Sequence, residues 1–258
     1  IYKKAIKLNA DIYHLHDPEL IRIGTKLIKS GKKVIFDSHE DVGDQILNKY
    51  YIPKIFRGII SNFYNKYEKF KLSKFNGLIG ATPYITQKLD KIHKHNVNVN
   101  NYPKFLNKKV NASKIKNETH EICYFGAITK IRGLLELINA LTMTKNNVKL
   151  NLAGKINPKE FEIELKKTKG WSKVNYLGFM ESKKIIETFN NKIGIVTYLK
   201  VPNHEFAQPN KFYEYMNYKL PIICSNFNLW KTFLDQYKCG LYVEPSASQD
   251  IAKKIDYL

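Results

Sequence analysis

Short apolar runs alternate along this chain with segments of helical length and period. Asp11-Ile12-Tyr13-His14-Leu15-His16, Lys33-Val34-Ile35-Phe36-Asp37 and Gly77-Leu78-Ile79-Gly80-Ala81 read as strands. Between them lie a helix from Pro18 to Lys29, ended by Gly31, and helical periodicity from about Pro53 to Lys74. From Val97 to Asn117 the sequence is rich in Asn and Lys, contains Pro103 and has no sustained apolar period. The alternation then resumes, with strands predicted near 121–126, 148–153, 174–177, 193–198, 220–224 and 240–243 and helices between them. Strands separated by helix-length segments predict βαβ units and parallel sheets, hence an α/β fold. We place an N-terminal domain at 1–104, a linker at 105–118 and a C-terminal domain at 119–258. The first domain reads as short of strands and the second as complete.

Composition narrows the class. Apolar residues make up 43% and charged residues 26%, as in globular proteins. No run of about 18 apolar residues occurs, so no segment of the sequence reads as a membrane-spanning helix. The formal charge is +20, which favours anionic partners of some kind. The lysines are nevertheless spread along the chain without a recognisable nucleic-acid reader, so no nucleic-acid partner is expected. The cysteines, Cys123, Cys224 and Cys239, are odd in number and widely spaced, which predicts buried thiols in a reducing compartment.

Five stretches carry candidate chemistry. In Pro209-Asn210-Lys211-Phe212-Tyr213-Glu214-Tyr215-Met216 a helix is predicted to open at the proline, after a strand at 193–198 and a polar loop holding Asn203-His204-Glu205-Phe206. A helix start beside Lys211 suits phosphate, and Glu214 on the same face suits sugar hydroxyls; an ordinary surface Lys–Glu pair is the alternative. The turn Gly126-Ala127-Ile128-Thr129-Lys130-Ile131-Arg132-Gly133 offers a second phosphate-type junction or a plain surface loop. His14 and His16 share a strand face near Asp17 and Glu19. They could hold a metal, but without a distant third ligand we expect one to pack and the other to cap, with no metal bound. His39, just past a strand, is placed for proton traffic. Finally, Ile55, Ile59, Phe63, Tyr67 and Phe70 form a stripe at mainly i, i+4 spacing, surrounded by Lys54, Arg57, Lys66, Lys69, Lys71 and Lys74. The expected arrangement is a stripe facing the core with solvated lysines; the alternative is contact with an anionic membrane surface.

The Pro-Asn-Lys-x-x-Glu-Tyr-Met segment, followed by Leu220-Pro221-Ile222-Ile223-Cys224-Ser225, resembles the donor site of glycosyltransferase family 4. That resemblance implies two Rossmann-like domains (GT-B) and transfer of a sugar with retention from a nucleotide diphosphate to a hydroxyl acceptor. The transferred group would be a hexosyl or N-acetylhexosaminyl unit. By the family pattern Glu214 holds the ribose, Asn210, Lys211 and Gly126 belong to the donor site, and Arg132 touches the diphosphate. His39 contacts the sugar near the reacting carbon. Two family glutamates usually stand eight positions apart; the first falls on Phe206, leaving Glu205 as the candidate sugar contact. Ala127 replaces a usual arginine, with Lys130 as its substitute, and Lys219 stands where the family has glycine before the next strand. The family's opening strand and glycine-rich loop have no counterpart before Asp11, so the first domain is expected to be truncated.

The implied role is building cell-surface polysaccharide or lipopolysaccharide, with a lipid-linked glycan as one acceptor, in the cytoplasm or on the inner face of the cell membrane. No cofactor is expected. Gly-x-Gly-x-x-Gly, Gly-x-x-x-x-Gly-Lys-Ser/Thr and Asp-x-Asp are all absent. The alternatives are a nucleotide-sugar epimerase of the same fold and a non-enzymatic basic protein that binds anionic polymers.

Overall fold

The computed structural model describes residues 1–49, 51–104, 120–181, 184–185 and 192–258. The chain divides into two compact units, Ile1–Tyr102 with Phe206–Gln208, and Pro103–Glu205 with Pro209–Leu258. The predicted linker at 105–118 lies outside the described residues.

The first unit is built on a parallel sheet in the order β1-β2-β3-β4, with β1 Ile12–Leu15, β2 Lys33–Ser38, β3 Gly77–Gly80 and β4 Asn96–Asn98. The two-residue period of a strand puts Tyr13, Val34, Phe36 and Leu78 in the core. They pack with Ile21 and Leu27 of the helix Ile21–Lys29 and with Ile85 and Leu89 of the later helix Pro83–Asp90. A 3₁₀ turn, Pro18–Leu20, leads into the first of these, and Gly31 ends that segment at φ 76°. β4 corrects the sequence reading, which placed its last two residues in an unstructured connection; Asn96–Asn98 completes the sheet by pairing with β3.

The long basic helix, Lys54–Leu72, overturns the expected orientation of its stripe. Ile59 is 65% and Phe63 76% exposed, and Ile55 and Phe70 are exposed as well. The inward positions are Ser61, Glu68 and Leu72. Ser61 donates to the Gly43 carbonyl at 2.8 Å, and Glu68 accepts from the Tyr64 hydroxyl at 3.3 Å. Burial pushes the Glu68 carboxyl above the usual range. Leu72 in the core and the Ser61 bond to Gly43, not the exposed Ile55, Ile59, Phe63 and Phe70, therefore hold this helix in place.

The second unit carries a parallel sheet in the order β10-β9-β8-β5-β6-β7. Its strands are β5 His120–Phe125, β6 Val148–Ala153, β7 Val174–Gly178, β8 Ile193–Val196, β9 Ile222–Ser225 and β10 Gly240–Val243. Every residue of β8 and β9 is buried, as helices on both faces of a parallel sheet require. Cys123 and Cys224 are buried thiols and Cys239 is half-buried, none in a disulfide. The segment between β8 and the donor-type helix is not a plain polar loop. Pro202–Glu205 forms a short helix that buries His204, whose Nδ1 lies 2.9 Å from the Leu199 carbonyl. Lys219, in the family's glycine position, adopts φ 56°. The left-handed geometry persists there at a cost of roughly 1–2 kcal/mol for a residue with a Cβ.

Candidate functional site

The strand order decides where the second unit can bind. From β5 the chain moves outward through β6 and β7, then returns to the other side of β5 with β8, β9 and β10. The connections leaving β5 and β8 therefore diverge, and the carboxyl ends of these two strands open a crevice, the usual ligand site of an open α/β sheet. Gly126 follows β5, and the helix Asn210–Asn217 lies beyond β8.

That helix is fastened under the crevice. Its Tyr215 is buried, with the hydroxyl 3.3 Å from the carbonyls of both Cys123 on β5 and Ile195 on β8. Gly194 leaves room for the ring, since a Cβ there would lie 2.5 Å from it. Phe212 is also buried, its ring edge-on to Trp230 at 5.1 Å. With Phe212 and Tyr215 inward, Lys211, Glu214 and Tyr218 lie on the side that lines a cavity of about 600 Å³. Pro209 stands just outside the helix as its N-cap, extended at ψ 126°.

Backbone approach shapes the rest of the cavity. Gly126 has φ 124°, and a Cβ on it would lie 2.6 Å from the Lys211 Nζ. Gly154, with φ 147°, approaches so closely that its Cβ would meet the Gly126 carbonyl oxygen at 1.8 Å. Two glycines thus bring bare backbone to the cavity wall beside a cation. Lys211 has no carboxylate within ion-pair distance among the described residues; its ammonium lies 5.4 Å from the Tyr124 ring centre and 5.8 Å from that of Phe125. Burial raises the Glu214 carboxyl above the usual range, and the Lys211 charge partly offsets this. A cation and a half-buried carboxylate one helical turn apart can take up phosphate and hydroxyl groups of one ligand.

The structure brings Gly126, Lys211 and Glu214 together, and leaves the other predicted donor residues off the cavity wall. The Arg132 guanidinium stacks 4.1 Å over the Tyr198 ring. Beside it, burial lowers the His204 imidazole to about 4, with the Arg132 charge acting in the same direction. Lys130 pairs with Glu164 at 3.5 Å on the surface. Asn210 is exposed at the helix start. Glu205 lies 3.5 Å from Lys200, and Phe206, in the place of the family's first glutamate, is about half exposed.

Sequence reasoning missed Thr129, Gly154, Lys155, Asn157 and Tyr218, all of which line the cavity. Gly154 and Lys155 directly follow β6, so the rule that ligands gather at carboxyl ends of parallel strands could have found them.

In the first unit, His39 follows β2 and meets an unexpected cluster. His14 Nε2 and His16 Nδ1 each lie 3.4 Å from Asp37 Oδ2, and His39 Nε2 lies 3.5 Å from Asp37 Oδ1. His16 Nδ1 and His39 Nε2 are 3.2 Å apart. The carboxylate that joins the His14–His16 pair is Asp37 of β2, neither Asp17 nor Glu19. It stands 21 residues beyond His16 and meets it only through strand pairing, so spacing along the sequence does not reveal it.

Known proteins share this architecture. The chain superposes on Anabaena HepE, solved with UDP and glucose, with a TM-score of 0.73 and 12% identity, covering 99% of this chain and 71% of that one. A glycosyltransferase from Rickettsia africae gives 0.72 and 20% identity, with 99% and 68% covered. Sucrose-phosphate synthase from Thermosynechococcus elongatus gives 0.69 and 14% identity, with 99% and 66% covered. No curated protein matches the sequence. The fold is thus α/β with two parallel sheets, as in GT-B glycosyltransferases. The model of the glycosyl transferases group 1 family matches residues 107–258, more than half of the chain including the cavity just described, and the chain belongs to that family.

Proposed function

We propose that this protein is a retaining family 4 glycosyltransferase that moves a hexosyl or N-acetylhexosaminyl unit from a nucleotide diphosphate to a hydroxyl. The observation that carries this reading is the crevice between β5 and β8. There Lys211 and Glu214 stand one helical turn apart beside the bare backbone of Gly126. The HepE complex, which contains UDP and glucose, supports a nucleotide-sugar donor.

In this reading Glu214 accepts hydrogen bonds from the ribose hydroxyls, and the Lys211 ammonium faces the diphosphate. As the glycosidic bond breaks, negative charge grows on the departing diphosphate. A cation fixed in a partly desolvated site stabilises that charge more than it stabilises the bound donor. Neither residue requires a metal or cofactor for this role. Thermal-shift measurements with UDP-, GDP- and ADP-sugars test the reading: at least one should raise the melting temperature in a concentration-dependent way. No shift with any of them would remove the donor assignment.

His39 is proposed as the residue that meets the sugar near its reacting carbon, on the strength of the family pattern. His39→Ala should lower kcat by about a hundredfold, the scale of losing one positioned polar group, with the Kd for the nucleotide nearly unchanged. A variant with full turnover would withdraw His39 from the reaction.

A place on an anionic membrane surface, in the building of cell-surface glycans, is the cellular part of the proposal. No helix among the described residues is long and apolar enough to cross a membrane. Peripheral contact is favoured by the exposed Ile55, Ile59, Phe63 and Phe70 stripe with its flanking lysines. Apolar side chains can enter the lipid boundary while lysines meet anionic headgroups. Co-sedimentation with phosphatidylserine-containing vesicles should fall several-fold on raising the salt, as screening shortens the reach of surface charge. Replacing Lys66, Lys69 and Lys74 with Gln should weaken it further. Equal binding to neutral vesicles at all salt concentrations would exclude this mechanism.

A further inference from the structure

We infer that the first unit carries a binding site for a zinc-class divalent metal, formed by His14 Nε2, His16 Nδ1 and the Asp37 carboxylate, with His39 beside it. Backbone geometry assembles it. β1 and β2 run parallel with Leu15 opposite Phe36, so the residues that follow, His16 and Asp37, arrive side by side. The two-residue strand period puts His14 on the same side as His16. Phe36 and Ser38 turn into the protein, so Asp37 between them turns toward the histidines, and His39 closes the group just past β2.

Distances distinguish this cluster from an ordinary hydrogen-bond network. Charged hydrogen bonds between nitrogen and a carboxylate run at about 2.7–2.9 Å. Here the three histidine–carboxylate separations are 3.4, 3.4 and 3.5 Å, and the His16–His39 separation is 3.2 Å. Ligand atoms held about 2.0–2.1 Å from a zinc ion at the corners of a tetrahedron stand about 3.3–3.4 Å apart. The atoms contributed by His14, His16 and Asp37 all lie within 4.8 Å of one another. The His14 and His16 contacts to Asp37 are longer than charged hydrogen bonds, and the three ligand atoms are close enough to share one ion.

Burial and charge point the same way. Asp37 Oδ1 is buried and accepts no hydrogen bond among the described residues, so its desolvation is uncompensated there. Its side chain is 13% exposed, whereas the imidazoles of His14, His16 and His39 are 43%, 54% and 40% exposed. The carboxylate forms the floor and the rings leave a path from solvent. The rings stand close, at centroid spacings of 4.4 Å for His14–His16 and 5.5 Å for His16–His39, and a divalent ion at their nitrogens would satisfy the carboxylate. Two imidazole nitrogens and one carboxylate select Zn²⁺, Co²⁺, Ni²⁺ or Cu²⁺ over Mg²⁺ or Ca²⁺. Occupancy would take up the His16 Nδ1 that lies 3.2 Å from His39 Nε2. The site would then act as an inhibitory metal switch on transfer, a consequence that rests on the role proposed for His39.

The whole chain, titrated with Co²⁺ after treatment with chelator, should develop the intense visible bands of four-coordinate cobalt at one ion per chain. Zn²⁺ should displace it and Mg²⁺ should not. In calorimetry with Zn²⁺, His14→Ala, His16→Ala and Asp37→Asn should each raise the Kd at least tenfold. The double variant His93→Ala/His95→Ala, which alters a separate surface histidine pair, should leave it unchanged. Circular dichroism confirms that each variant is folded, and the cobalt spectrum of the unaltered chain requires no variant. Weak six-coordinate cobalt bands, or zinc affinity lost only with His93 and His95, would overturn the site. Zinc bound at one equivalent without effect on transfer would uphold the site and reject the role of His39 in transfer.

Discussion

Replacing Glu214 with alanine is expected to weaken nucleotide diphosphate binding by about ten- to a hundredfold. This corresponds to the roughly 1.5–3 kcal/mol of a hydrogen bond to a charged group. The free protein should lose no stability in the exchange. Burial holds the Glu214 carboxyl above the usual range, so its ionised form is less favourable folded than unfolded. Being a raised value, it contributes stability below the unfolded carboxylate range, and that contribution is lost as pH rises through the folded value. At neutral pH the group is therefore a burden on the free protein that the ligand offsets. Calorimetry with UDP, paired with melting curves of the free protein, reads both effects. Unchanged affinity would take Glu214 out of the site, and a large loss of stability would make it a structural residue.

The second large effect is expected at Gly154. Gly154→Ala combines a Cβ 1.8 Å from the Gly126 carbonyl oxygen with a backbone at φ 147°. Overpacking costs about 1–3 kcal/mol and occasionally more, and a strained backbone about 1–3 kcal/mol. Together they should lower the melting temperature of the second unit by about 10 °C, at roughly 2–4 °C per kcal/mol. Gly178 supplies the control, because its φ is 65° and nothing lies within 4 Å of an added Cβ. Gly178→Ala should show only the smaller backbone part. Equal shifts for the two would mean that the approach of Gly154 to Gly126 is not a tight one.

Most of the second unit was legible in the sequence. Strands such as Val148–Ala153 and Gly240–Val243 are short apolar runs bounded by turns, a signal written locally in side-chain order. Gly126, Lys211 and Glu214 were legible for a related reason. Each sits at a strand end or helix start, and sequence spacing alone puts Lys211 and Glu214 one turn apart. The orientation of the Lys54–Leu72 helix was not legible. An apolar stripe has the same period whether it faces a core or solvent, and the inward contacts of Ser61 and Leu72 decide which. Not legible either were the contacts of the predicted diphosphate residues: Arg132 stacks on Tyr198 and Lys130 pairs with Glu164, residues distant in the chain.

What the sequence by itself determined is the alternation that makes this an α/β chain, together with three residues beside the β5–β8 crevice, Gly126, Lys211 and Glu214. Those properties follow from local periodicity and from which residues tolerate a helix start or a bare-backbone turn. Only the tertiary structure decided that β8 returns beside β5, opening the crevice, and that Asp37 and His39 join His14 and His16. Strand order and strand pairing are contacts between distant residues, set by how whole βαβ units pack, and no local window of sequence contains them.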